Sequence, residues 1–194
     1  MRIIPNFLRY IGMLLFFIVP FVAAHDGLIT LKGKSVVGTC VFDGVSTQAG
    51  DTPSSGTSIT LPAVSADMLA NNERAGETRL YFHFRNCPAL VGQSSFAVTF
   101  YSTNVSTDGE LFLPDSTPDS ASNVGLDIKW GNTVSYQVYP NRSPNFYGNF
   151  AFLSASGEQI VSDQYRVAYK KVPGSGAVIP GKVNTTVTYE IVYR

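Results

Sequence analysis

Any chemistry in this chain would have to come from a short inventory. It holds two cysteines, Cys40 and Cys87, two histidines, His25 and His83, and serines and carboxylates spread mostly through turns. Nucleophilic catalysis needs a serine or cysteine beside a base that a third group orients. No GxSxG elbow occurs, and His83 has no evident orienting partner. Glycoside hydrolysis needs two carboxylates facing one bond, and the acidic residues show no such spacing. A metal site would have to bring both histidines together with acids or cysteines, without a CxxC or a histidine cluster to build on. No glycine-rich phosphate loop appears. The sequence therefore predicts no catalytic residue, no cofactor and no metal. His83, inside a strand pattern, is expected at the surface or a strand edge, and His25 in a flexible terminus.

Aromatic residues offer a different chemistry. Trp130, Tyr136, Tyr139, Phe146 and Tyr147 could stack on sugars or form an interface. They lie among weak strands and turns, where core packing is the expected role for most. Three segments, beginning at Asn104, Asn141 and Asn184, have N-glycosylation spacing, which matters only in a eukaryotic secretory route.

The cysteines take their meaning from the start of the chain. Arg2 and Arg9 precede an apolar run from Ile11 to Val22, and Ala23-Ala24 offers a small-residue cleavage site. Residues 1–24 read as a signal peptide. The run is too short for a bilayer span and contains Pro20. The mature chain would begin at His25. Losing the two arginines leaves twelve basic against fourteen acidic residues, which gives no electrostatic reason to expect nucleic acid. Export makes a Cys40–Cys87 disulfide the default, with a pair of buried free thiols as the alternative. Such a bridge would remove roughly 4 kcal/mol of entropy from the unfolded chain.

The elements that must position these residues are strands. Leu80, Phe82 and Phe84 alternate with Arg79, Tyr81, His83 and Arg85; Phe96, Val98 and Phe100 repeat the period. Further strands are predicted at Ser35–Phe42, at Ile59 and Leu61, and at Val124–Ile128. Others follow at Thr133–Val138, Phe150–Leu153 and Tyr165–Tyr169. Residues 46–58 read as a loop, and Ala63–Ala75 holds at most one or two helical turns. At the end, Val187, Tyr189, Ile191 and Tyr193 share one face, followed by Arg194. At the start, Gly27, Ile29, Leu31 and Gly33 form an alternating face ahead of the first cysteine. The pattern predicts one all-β sandwich domain.

Several blocks together resemble a bacterial pilin subunit of the chaperone-usher class. They are Gly27–Lys34 with Val36–Val41, Leu80–Cys87, Tyr165–Tyr169, Pro180–Asn184 and Thr188–Arg194, with Tyr193 penultimate. The resemblance implies an incomplete immunoglobulin-like β-sandwich, residues 34–194, completed by a donor strand. Residues 25–33 would be the donor extension, with Gly27, Ile29, Leu31 and Gly33 on its inserting face. Val187, Tyr189, Ile191, Tyr193 and Arg194 would line the groove or face the chaperone. The implied partners are a periplasmic pilus chaperone, an outer-membrane usher and neighbouring pilin subunits. The implied route runs through the periplasm to a cell-surface fimbrium, and the lone chain should expose an open groove. The alternative is a free-standing secreted carbohydrate-binding module.

Overall fold

The computed structural model describes residues 27–34, 41–53, 58–85, 95–131, 135–143, 148–149 and 159–193. The signal segment, His25, both cysteines, Phe146, Tyr147, the Phe150–Leu153 strand and Arg194 lie outside the described residues. Strands are β1 (Gly27–Lys34), β2 (Val41–Ser46), β3 (Ser58–Leu61), β4 (Ala75–Arg85) and β5 (Ser95–Tyr101). They continue as β6 (Val124–Trp130), β7 (Tyr136–Val138), β8 (Gly148–Asn149), β9 (Gln159–Lys171) and β10 (Val183–Tyr193). One short helix, α1 (Ala66–Asn71), lies between β3 and β4.

Two five-stranded sheets face each other, ordered β3-β1-β10-β5-β8 and β2-β4-β9-β6-β7. Period-two sequence explains the sandwich. Leu80, Phe82 and Phe84 of β4, Phe96, Val98 and Phe100 of β5 and Leu126 and Ile128 of β6 are all wholly buried. Aromatic rings fill the space between sheets. Phe82 meets Tyr165 at 5.4 Å and Phe84 meets Phe96 at 5.0 Å, in tilted or edge geometries that suit ring quadrupoles. The Tyr165 hydroxyl is satisfied inside this core, because the Val98 amide donates to it at 2.9 Å.

The helix is as short as its sequence suggests. Ser65 caps it by accepting from the Met68 amide at 3.1 Å, and Leu69 is its buried anchor. Of the strand expected at Ser35–Phe42, residues 35–40 lie outside the described residues, and β2 continues beyond Phe42 to Ser46. A register shift between Phe42 and Gly44, with Gly44 at φ 135°, lets the chain stay paired with β4 into the predicted loop.

The outer face of the second sheet carries charge where solvent is excluded. Asp127 is wholly buried, and the Arg74 guanidinium meets its carboxylate. Glu77 then ties Arg74 to Arg166, the latter contact at 3.5 Å. Trp130 packs against the core as expected, whereas Tyr136 and Tyr139 do not. Trp130 is half-buried with its ring 5.7 Å from that of Tyr136, and both tyrosines are exposed. Tyr136 lies on β7, which among the described residues is the edge strand of this sheet.

Candidate functional site

The N-terminal face and the C-terminal face predicted from sequence meet in one place. β1 lies between β3 and β10. It runs parallel to β10, from Gly27 opposite Val183 to Lys34 opposite Glu190, and antiparallel to β3, with Ile29 opposite Ile59. Ile29 and Leu31 are 0% and 1% exposed, whereas Leu28 and Thr30 are half-buried and Lys32 is exposed. Burying the two aliphatic side chains stabilises this seating by about 1.5–3 kcal/mol each. The walls are Ile59 and Leu61 of β3 and Val187 and Tyr189 of β10, all buried.

This is where the lone chain differs from the expectation of an open groove. Its own β1 fills the slot. The reason is connectivity and hydrophobicity together: an apolar strand tethered beside an unpaired sheet edge has no better place to bury itself. Of the predicted groove residues, Val187 and Tyr189 stand opposite β1, while Ile191 pairs with Val98 of β5. Gly33 pairs with Tyr189 and Tyr193 with Phe96 along the backbone. The Tyr189 ring stands edge-on to Phe42 at 5.6 Å, and burial pushes its phenol up to about 12.

One contact could not be found by periodicity. Tyr169, on β9 of the opposite sheet, reaches across the sandwich so that a Cβ on Gly27 would fall 1.9 Å from its hydroxyl oxygen. The same ring packs on Gly76, where a Cβ would sit 2.9 Å away and where φ is +64°. Tyr169 is thus wedged between two glycine positions where any larger residue would force its ring to shift. No sequence signal links residue 169 to residue 27, because the contact joins different sheets.

His83 corrects another expectation. It is wholly buried, not a surface residue. Ser46 Oγ donates to the Gln48 carbonyl at 2.6 Å, so the 2.7 Å contact between Ser46 Oγ and His83 Nε2 requires the imidazole to donate. Its Nδ1 finds no hydrogen-bond partner among the described residues. Burial lowers the pKa of this histidine, and the charges of Asp43 and Asp51 oppose that shift without reversing it. A serine–histidine pair turned inward, with serine spending its proton on a carbonyl, is a packing device and not a nucleophile. Among the described residues no group of histidine, cysteine and carboxylates is placed to hold a metal.

Comparisons with known proteins agree with this architecture. A family model described as "Fimbrial protein" matches residues 29–194. No curated protein matches by sequence. Among solved structures, the P pilus rod subunit PapA superposes with a TM-score of 0.56 at 14% identity, covering 81% of this chain and 100% of PapA. An antigen and type I fimbria protein of Burkholderia pseudomallei gives a TM-score of 0.42 at 16% identity, covering 87% of this chain and 95% of that one.

Proposed function

The chain belongs to the Fimbrial protein family of chaperone-usher pilins and is a structural subunit of a surface pilus, not an enzyme, and we propose that it polymerises by donor-strand exchange. In this reading residues 25–33 are the segment lent to a neighbouring subunit, with Gly27, Ile29, Leu31 and Gly33 on the inserting face. The receiving slot is the space between β3 and β10. A periplasmic chaperone holds that slot during export, and an outer-membrane usher presides over the exchange.

The observation that carries this reading is the burial of β1. A strand at the chain's leading end contributes two wholly enclosed side chains and closes a sheet that has partners on both sides of it. Such a strand is separable in a way that an internal strand is not, and strand addition between chains supplies the same backbone pairing and the same pockets.

Removing residues 25–33 tests it. The shortened protein is expected to be captured by its chaperone and to accept a neighbour's strand, yet not to extend the fibre beyond itself. Normal polymerisation by the shortened protein would reject the donor assignment. The self-completed sheet also suits a second reading, a free-standing secreted module, with exposed Tyr136 and Tyr139 as sugar-stacking candidates. That protein would stay a monomer whether or not the chaperone is present, and the family match over residues 29–194 favours the subunit.

A further inference from the structure

Among the described residues the two most exposed large apolar side chains are Ile179, at 57%, and Tyr136, at 48%. They stand at opposite ends of the sandwich, and β6 runs from one to the other. Ile179 pairs through its backbone with Ser122, two residues before β6 begins at Val124. Tyr136 pairs with Trp130, the last residue of β6. The length of that strand separates the two positions by about 20 Å.

A lone exposed apolar residue calls for no explanation, but these two are held in place. Ser122 and Ile179 exchange both amide–carbonyl bonds at 3.1 Å, and Asn123 Nδ2 donates to the Ala177 carbonyl at 2.7 Å. Close by, the Lys182 amide donates to the Asp119 carbonyl, and a Cβ on Gly181 would fall 2.5 Å from the Ala121 nitrogen. The loop that presents Ile179 is thus pressed backbone to backbone on residues 119–123, with exposed Ala177 and Pro180 beside its tip. At the other end Arg166 reaches from β9 to the Ser135 hydroxyl and the Gly131 carbonyl, which fixes both sides of the β6–β7 connection. The Tyr136 ring leans on Trp130. Each end is therefore ordered within the fold before any partner arrives, which lowers the cost of binding one.

One end offers an aliphatic tip and the other an aromatic face. Such a pair suits contact between the unlike ends of two copies, and repeating that contact builds a filament when it does not close into a ring. Both ends also border the β1 slot. Val183, which stands opposite Gly27 at one end of the slot, follows four residues after Ile179. Trp130 pairs with Tyr165, whose ring meets Phe96, the backbone partner of Tyr193 at the far end of β10. A neighbour linked by a donated strand must come up against the fold at an end of that slot, in whichever direction the strand runs.

Resting on the strand-exchange reading, we infer that successive copies of this chain meet through a second contact besides the strand, in which Ile179 of one copy packs on the Trp130–Tyr136 pair of the next. The strand joins the copies, and this contact sets the angle between them. With it the fibre is stiff; without it the domains hang on their links.

Cells supplied with this chain as the only pilus subunit, together with its chaperone and usher, provide the test material. Chains carrying both Ile179→Cys and Tyr136→Cys, treated on the cell with a short bismaleimide, should give a ladder of multimers that survives denaturation. Peptide mapping should find residue 179 joined to residue 136, a pair too far apart within one molecule to be bridged. Fibres without that link overturn the contact and leave strand exchange standing. A ladder from either single variant would mean contact between like ends and overturns it as well. Ile179→Asp should leave the unfolding midpoint of the subunit unchanged, because the side chain is exposed. The same change should shorten the persistence length of the fibre several-fold in electron micrographs, and unaltered stiffness overturns the inference. If the unaltered chain forms no fibre at all, strand exchange is rejected, and the contact is read on concentrated monomers. A mixture of Ile179→Cys chains and Tyr136→Cys chains must then still yield the mixed adduct, and its absence overturns the contact too.

Discussion

At the residue scale, His83 is the group whose environment differs most from what its neighbours in sequence suggest. The alternation of β4 puts it on the face away from Phe82 and Phe84, and that face is usually solvated. Here Ser46 and the Gln48 carbonyl close over it. The imidazole is neutral in the fold and has its pKa lowered from 6.5 by burial. The unfolded chain therefore binds a proton more readily than the folded one below that value. The neutral histidine's contribution is complete above about pH 6.5 and declines as pH falls toward the lower folded value. Denaturant unfolding at a series of pH values between 7.5 and 5 should show stability falling with acid. His83→Gln, which keeps a donor for Ser46, should flatten that slope. A second residue-scale prediction concerns Tyr165. Tyr165→Phe removes the acceptor of the buried Val98 amide and should cost about 1–3 kcal/mol in equilibrium unfolding.

At the element scale, strands with one apolar face were legible and their neighbours were not. Val187, Tyr189 and Ile191 announce the inner face of β10 through period two alone, and the structure buries all three. The same rule placed Ile29 and Leu31 together but could not say between which strands they would lie. Pairing is a long-range choice, and residues 59 and 183 carry no local mark of it. The charged outer face of the second sheet was also invisible. Nothing around Asp127 foretells its burial, which comes from Arg74 and Glu77 at the start of β4 folding across β6 and β9. Arg74→Met leaves that carboxylate enclosed without its cation and should destabilise the domain by about 3–5 kcal/mol in denaturant unfolding. Replacing Arg74 and Asp127 together by apolar residues of similar volume should cost much less.

At the scale of the whole molecule, the sandwich was predictable because many short alternating segments with polar turns admit few other architectures. What could not be read was that the chain completes itself. An open slot and a filled one have the same sequence, and the difference lies in where six connecting residues allow β1 to go. The cysteines belong to this scale too. Val41 pairs with Arg85, and in the sequence Cys40 stands one residue before the first and Cys87 two residues after the second. Mass mapping of the exported protein should find them joined, and reduction should lower stability by roughly 4 kcal/mol. Two free thiols in the oxidised, folded protein would reject the bridge.

The wedge of Tyr169 between Gly27 and Gly76 has a mechanical corollary. Shifting β1 by one residue would turn Lys32 toward the apolar interior, and shifting it by two would press Ile29 on the phenol. Only one setting is free of both faults, so the strand clicks home instead of sliding. Under tension along the chain, this joint should hold at constant length until it gives way all at once, with no gradual creep beforehand.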